Sequence, residues 1–164
     1  GSGVYALYYT GRFKAYVPIS GVAHPIYVGS AAPVDPDAAT VEAQGESLAN
    51  RLQEHGKSVT NARNLDVNDF TCRYLVVKSA WQATAELHLI NRFQPVWNKE
   101  TNVCYGFGKH GDSSSTRKNK RSPWDTLHPG RLWAETEETE PNSKNAEQII
   151  LDILAHFKKN PPMR

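Results

Sequence analysis

The stretch Gly3–Tyr9, GVYALYY, together with PIYVGS at residues 25–30, decides the fold of this chain. Both stretches are rich in Val, Ile, Leu and Tyr, which is typical of β-strands, and Gly29 ends the second one. Residues 12–17 are predicted to extend a hairpin after the first strand. Because strands joined by a hairpin are antiparallel, the sheet is expected to be small and mostly antiparallel.

A helix and a third strand are predicted after these two strands. The helix is expected to begin after Thr40 and to end at Gly56, because apolar residues recur at helical spacing between them. TCRYLVVK at residues 71–78 is the strongest strand signal in the chain. The sheet therefore gains a strand that is separated from the first two by a helix.

Two further helices complete the predicted order. Ser79 is expected to cap a helix at residues 80–93, which Pro95 ends, and a last helix is predicted at residues 146–159. The order is strand, strand, helix, strand, helix, loop, helix. This order indicates an α/β (α+β) sandwich, with helices flanking a small central sheet, rather than a doubly wound fold.

Length and composition indicate one globular domain, expected to span residues 3–164 of the 164-residue chain. Gly1 and Ser2 are interpreted as the remnant of a cleaved expression tag. No stretch approaches the roughly 18 apolar residues of a membrane span, and no secretory signal opens the chain. Cys72 and Cys104 are expected to be reduced thiols, so we expect a cytoplasmic protein that makes no membrane contact.

The net charge of +2 hides a basic segment followed by an acidic one. Residues 107–145 are predicted to form a long loop region, with acidic residues concentrated at 135–140. The basic part favours contact with the phosphates of a nucleic acid, and a solvated flexible loop is the alternative. The basic side chains predicted to make such contacts are Lys109, Arg117, Lys118, Lys120, Arg121 and Arg131.

The first helix carries polar side chains where its buried face should be apolar. At 100° per residue, Arg51 and His55 lie within 60° of Leu48, and they are neighbours at spacing i, i+4. A buried arginine is costly unless it meets an anion, so a phosphate-binding role is one interpretation. The alternative is an arginine that extends to water and a core histidine with a hydrogen-bond partner.

The second helix repeats this feature with the opposite charge. Glu86 lies inside the apolar arc formed by Leu89, Ile90 and Phe93. A lone carboxylate in such a place needs a cation, which could be Arg51 in a structural salt bridge or a divalent metal.

Tyrosines crowd the two opening strands, at positions 5, 8, 9 and 27. Any one of them is explained by the β propensity of tyrosine. If the two helices flank the strands, however, two tyrosines converge with Arg51, His55 and Glu86. Such a set can bind a phosphate, a metal ion and a nucleophilic water together.

These residues resemble the GIY-YIG nuclease superfamily. The triplets GVY at residues 3–5 and YVG at residues 27–29 are similar to the two halves of its signature, with Val4 in place of isoleucine. An arginine on the first helix, a glutamate on the second and an asparagine beyond it follow in the order of the superfamily, as Arg51, Glu86 and Asn98. His55 and the stretch RSPWDTLHPGR at residues 121–131 resemble the type II restriction endonuclease branch, specifically the enzymes that cut CCGCGG.

The resemblance implies a role for each site residue. Tyr5 would take a proton from the attacking water, assisted by His55 and Arg51, and Tyr27 would hold the phosphate or the water. Glu86 would bind one Mg²⁺ (or Mn²⁺) per active site, and Asn98 would fix the geometry. The catalytic set that the resemblance implies is Tyr5, Tyr27, Arg51, His55, Glu86 and Asn98.

The expected function is hydrolysis of double-stranded DNA at a short palindromic site. A palindrome further implies a homodimer with one active site per strand. Two alternatives remain: a repair or structure-selective GIY-YIG endonuclease, and a DNA-binding module without catalysis.

Overall fold

The computed structural model describes residues 1–108, 120–137 and 139–163. Three antiparallel strands form one sheet in the order β2-β1-β3, and their bounds are β1 Gly3–Tyr9, β2 Tyr27–Ala31 and β3 Phe70–Val76. The central strand places Tyr5 opposite Gly29 in β2 and opposite Tyr74 in β3. The predicted small antiparallel sheet is confirmed, with strand ends shifted by one or two residues.

The predicted extension of the hairpin at residues 12–17 is wrong. β1 pairs directly with β2, and the segment between them contains a 3₁₀ turn at Val17–Ile19. Tyr16 and Ile19 are fully buried beneath the sheet. Both side chains therefore fill the core, whereas the sequence pattern predicted that Tyr16 lies in a strand.

The first helix, α1 at Ser47–Asn61, begins later and ends later than predicted. The backbone and side chain of Thr40 instead cap a turn, and Gly45 adopts a positive φ of 71° just before the helix. At the other end, Gly56 faces open space, so its lack of a side chain does not interrupt the packing. The buried Val59 continues the apolar face and explains why the helix extends past Gly56.

The second helix, α2 at Gln82–Phe93, packs on one face of the sheet. Ile90 of the helix meets Val4, Ala6 and Val28 in a small apolar cluster. Trp81 falls within the predicted helix at residues 80–93, but it precedes α2 and is 66% exposed. The positive φ of Ala80, 76°, turns the chain at this point, so the helical spacing does not extend back to Trp81.

The larger core lies on the opposite face of the sheet. It is mostly aromatic and is closed by α3 at Pro123–Leu127 and α4 at Ala146–Lys159. The predicted last helix is confirmed, and its buried side chains are Ile149, Ile153 and Phe157. The short helix α3 lies within residues 107–145, a region predicted as a long loop.

Two simpler expectations can be compared directly with the structure. Cys72 and Cys104 are both free, the first exposed and the second buried. Within the described ranges, no helix has the length and apolar character needed to cross a bilayer.

Candidate active site

The site lies at the edge of the sheet formed by β2. Tyr5 and Tyr27 project from the same sheet face, because Tyr5 pairs with Gly29 and side chains alternate along a strand. A Cβ atom at Gly29 would overlap the hydroxyl of Tyr5. The glycine of the second triplet is therefore needed for space beside the tyrosine of the first.

Tyr5 and His55 form a short hydrogen bond inside the protein. The Tyr5 hydroxyl lies 2.5 Å from Nε2 of His55, and both residues are 1% exposed. Burial, followed by the neighbouring Tyr27, raises the pKa of Tyr5 far above its ordinary value. The phenol is therefore protonated at neutral pH and donates to Nε2, which assigns the ring proton of His55 to Nδ1.

Arg51 lies beside this pair and is one-third exposed. Its Nη1 atom is 3.1 Å from Oε2 of Glu54. Its positive charge lowers the pKa values of Tyr5 and Tyr27 and so opposes the larger effect of burial. The ion pair with Glu54 differs from the structural alternative raised by the sequence, in which Arg51 neutralises Glu86.

Tyr27 connects the buried pair to the surface. Its ring centroid lies 6.2 Å from that of Tyr5 and 5.2 Å from that of His55. Burial, followed by the charge of Glu86, raises its pKa to about 12. Tyr27 lines a cavity of about 220 Å³, whereas Tyr5 lies behind it.

Glu86 reaches the same cavity from the other face of the sheet. Its Oε2 atom accepts a hydrogen bond of 2.6 Å from the hydroxyl of Ser30 in β2. Burial raises the pKa of the Glu86 carboxyl, and the nearby Glu100 acts in the same direction. The edge of β2 thus brings together Glu86 from one face and Tyr27 from the other.

The donor set around Glu86 is sparse for a metal site. Among the described residues, no group of three or more His, Cys, Asp or Glu side chains could hold a metal ion. Mg²⁺ nevertheless fits one carboxylate facing a cavity, because it commonly keeps several waters and shares phosphate oxygens. The raised pKa is also the behaviour of a desolvated carboxylate that a cation would stabilise.

Asn98 supports the site from below. Its side chain hydrogen-bonds both backbone groups of Val28, accepting from the N–H at 2.9 Å and donating to the C=O at 2.8 Å. These bonds hold the edge of β2 as a neighbouring strand would. The buried Asn98 therefore positions Tyr27, the residue before Val28.

The basic residues predicted to bind DNA fall into different environments. Lys109, Arg117 and Lys118 lie outside the described residues. Lys120 is exposed, and Nε of the half-buried Arg121 donates to the carbonyl of Ala134 at 3.0 Å.

The prediction that Arg131 contacts DNA needs correction. The side chain is buried, and its Nε atom donates to Asp125 at 2.7 Å. Two other donors of the same guanidinium meet the carbonyls of Gly106 and Phe107, so the side chain is held inside the protein. The spacing of basic residues along the sequence did not indicate that Asp125 binds Arg131 in the core.

Sequence reasoning also missed several contributors to the site. Phe107 stacks on the His55 ring at a centroid distance of 4.5 Å and an interplanar angle of 19°. Ser30 binds Glu86, and Lys99 and Glu100 line the cavity beside it. Residues in loops carry no periodicity, so only the adjacency of Lys99 and Glu100 to Asn98 could have pointed to them.

Comparison with known proteins agrees with this geometry. The sequence model of the Eco29kI GIY-YIG domain matches residues 1–157, which is nearly the whole chain. No curated protein matches the chain significantly. Because the match covers the strands, both site helices and the residues of the cavity, the chain belongs to the Eco29kI GIY-YIG domain family of type II restriction endonucleases.

Proposed function

We propose that this protein is a type II restriction endonuclease that hydrolyses double-stranded DNA at a short palindromic site. The observation that carries the proposal is the Tyr5–His55 hydrogen bond of 2.5 Å beside the charge of Arg51. Membership of a DNA endonuclease family supports the same conclusion.

The pKa of Tyr5 decides how it can act as a base. A phenol with a pKa far above neutral cannot take a proton from water while retaining its own. In the proposed step, the oxygen of Tyr5 accepts the water proton as its own proton passes to Nε2 of His55. No free phenolate forms, and the positive charge ends on the imidazole.

The water oxygen then bonds to phosphorus, and the bond from phosphorus to the 3′ oxygen breaks. Arg51 supplies positive charge beside the anionic phosphate, and the hydroxyl of Tyr27 holds a phosphate oxygen or the water. The departing oxygen takes a proton from solvent. Tyr5 and Tyr27 are buried in the core, so their hydroxyls need little reorganisation.

Glu86 is the residue proposed to hold a divalent ion, Mg²⁺ or Mn²⁺, one per active site. The raised pKa and the adjoining cavity support this assignment. When bound, such an ion would neutralise charge on the scissile phosphate and stabilise the leaving oxygen. Asn98 keeps the edge of β2 in place, so that Tyr27 and Glu86 stay at the same cavity.

A palindromic target requires the same active site on both strands, so we infer a homodimer. DNA phosphates are proposed to meet the basic side chains of the loop region, among which Lys120 is exposed in the structure. A second cavity of about 350 Å³, lined by Lys120, Arg121 and Lys144, adjoins the active-site cavity at Tyr105.

The test is digestion of plasmid DNA with Mg²⁺, followed by sequencing of the ends. We expect double-strand breaks at one short palindrome, with none in the presence of EDTA. The Glu86→Gln protein, purified in parallel, controls for a contaminating nuclease. Nicks at structural irregularities without sequence preference would favour a repair or structure-selective enzyme, and binding without cleavage would favour a non-catalytic module.

A further inference from the structure

Arg131 is a buried charged residue that the reaction described above does not use. Among its hydrogen bonds, the guanidinium donates to Oδ1 of Asp125 at 2.7 Å, to the carbonyl of Gly106 at 2.8 Å and to the carbonyl of Phe107 at 3.1 Å. It also lies 4.4 Å above the ring of Trp124. The planar guanidinium fork can satisfy these separate acceptors at once, which a lysine ammonium cannot.

The carboxylate that binds Arg131 is itself held firmly. Oδ2 of Asp125 accepts from the hydroxyl of Ser122 at 2.5 Å, and the same hydroxyl caps the first turn of α3 by accepting from the N–H of Asp125 at 3.1 Å. Gly106 has a φ of 115°, and a Cβ atom there would overlap the Ser122 hydroxyl. The start of α3 and the loop at residues 106–108 therefore form one closely packed unit.

The loop at residues 106–108 contacts the catalytic side chains. Phe107 stacks on His55 and meets the Tyr27 ring edge-on, with centroids 5.0 Å apart. A Cβ atom at Gly108 would lie 2.7 Å from the Tyr27 hydroxyl, so the backbone passes directly beside that group. A shift of this loop would move the Phe107 ring that stacks on His55.

We propose that Arg131 is a positioning residue for the nuclease reaction. It fixes the loop at residues 106–108, and through Phe107 it holds the His55 imidazole in the orientation that receives the Tyr5 proton. This inference rests on the proposed function. It also gives the stretch at residues 121–131 a role behind the active site, where the sequence suggested contact with DNA.

The test combines Arg131→Lys with His55→Ala in a double-mutant cycle. At saturating DNA, Arg131→Lys should lower the single-turnover cleavage rate at least about tenfold, because small displacements of reacting groups are costly. In the His55→Ala background the same change should have little further effect. Binding to the cognate site in metal-free buffer should stay within about twofold of the parent.

Two matched variants separate positioning from general damage. Arg63→Lys alters an arginine in an exposed ion pair with Glu135 and should cleave at the parental rate. Phe107→Leu leaves Arg131 intact and should reproduce the rate loss. If Arg131→Lys does not fold, as judged by circular dichroism, Asp125→Asn takes its place in the cycle, because it removes the negative charge that binds Arg131; an unchanged rate in that variant would also overturn the inference.

A readout independent of cleavage distinguishes this inference from the proposed function. The imidazole resonances of His55, followed by NMR, should move in Arg131→Lys and not in Arg63→Lys. If the resonances move in Arg131→Lys but the parent protein never cuts DNA, the positioning role of Arg131 is supported and the nuclease proposal is rejected. Unmoved resonances, an equal rate loss in both backgrounds, or weakened DNA binding with an unchanged saturated rate would each overturn the inference.

Discussion

Two tyrosine–histidine pairs among the described residues are hydrogen-bonded at the same short distance. The Tyr5 hydroxyl is 2.5 Å from Nε2 of His55, and the Tyr16 hydroxyl is 2.5 Å from Nε2 of His128. All four residues are almost completely buried. Neither the distance nor the burial therefore separates a catalytic pair from a structural one.

Tyr16 and His128, the core pair, belong to a buried network of hydrogen bonds with uncharged partners. Trp97 donates to the Tyr16 oxygen at 2.8 Å, and Nδ1 of His128 lies 2.9 Å from the side-chain oxygen of Asn64. Burial, followed by the charge of Arg131, lowers the pKa of His128 to about 3. This pair is held neutral and has no cavity beside it among those described above.

Tyr5 and His55, the pair at the active site, lie near charged side chains. Arg51 and Glu86 both act on the pKa of Tyr5, and Glu86 borders a cavity that Tyr27 shares. The same two side chains therefore serve packing where their hydrogen-bond partners are neutral and no described cavity adjoins them. They become candidates for proton transfer when a cation, an anion and a space for substrate lie beside them.

Removing the negative charge of Glu86 beside the Tyr5–His55 pair should have the strongest effect on cleavage. Glu86→Gln should abolish cleavage with Mg²⁺ and leave DNA binding in metal-free buffer largely intact, because the amide is a much weaker ligand for a hard cation. The measurement is plasmid digestion beside Glu100→Gln, an exposed carboxylate of the same cavity, which should lose less. Near-parental cleavage by Glu86→Gln would mean that the carboxylate is structural.

The core pair should show the opposite behaviour. Tyr16→Phe leaves the Trp97 N–H and Nε2 of His128 without their partner, at a cost of about 1–3 kcal/mol for each buried group. Urea unfolding should report this loss, while single-turnover cleavage stays near the parental rate. The control, Tyr74→Phe, alters a tyrosine that is 64% exposed and should be neutral. A Tyr16→Phe protein of full stability but impaired cleavage would reverse the roles assigned to the two pairs.

The neutral state of the core pair also predicts a pH dependence of stability. The folded pKa of His128, about 3, lies below the unfolded value near 6.5. The unfolded chain therefore binds the proton first, so the contribution of His128 is complete above about pH 6.5 and is lost as the pH falls toward 3. The free energy of unfolding, measured between pH 7 and pH 4, should fall less steeply in His128→Gln than in the parent.

Two further histidines serve as internal comparisons for that slope. Burial lowers the pKa of His24 to about 4, so this residue contributes in the same direction. The His128→Gln protein should therefore keep part of the pH dependence of its unfolding free energy. His88→Gln removes an exposed imidazole and is the surface variant with which the slope of His128→Gln is compared. Parallel slopes for His128→Gln and the parent would show that His128 is not held neutral.

A weaker effect is expected from Lys120, which we propose contacts a DNA phosphate. Lys120→Ala should weaken binding to all DNA sequences alike and lower the slope of log K against log salt by about one unit, as the loss of one phosphate contact does. Lys158→Ala, an exposed lysine on α4, is the control and should leave the slope unchanged. Lys120→Ala binding like the parent at every salt concentration would place the DNA elsewhere.

The sequence predicted those parts of the fold that depend on local pattern. The strands around GVY and YVG and the helix at residues 146–159 were predicted because alternation and helical periodicity are strong there. The start of α1 at Ser47 was missed, since the turn made by Thr40 resembles a helix cap in sequence.

The site was predictable only where it lies on regular elements. Arg51, His55 and Glu86 stood out as polar residues on apolar helix faces, and the structure brings them together with Tyr5 and Tyr27. The part contributed by loops, including the Phe107 ring and the burial of Arg131, could not be predicted. Which acceptor a cation meets is decided by tertiary packing, and residue spacing along the chain does not report it.

We expect the Tyr5 hydroxyl to transfer a proton during DNA cleavage. Tyr5→Phe removes that oxygen with almost no change in volume, and Tyr16→Phe makes the same change in the core pair. The most direct measurement is the single-turnover cleavage rate of both variants at saturating DNA. Tyr5→Phe should lose at least about a hundredfold, the scale of a positioned acid–base group, while Tyr16→Phe cleaves at nearly the parental rate. A Tyr5→Phe protein that loses thermal stability but keeps its cleavage rate would contradict the account.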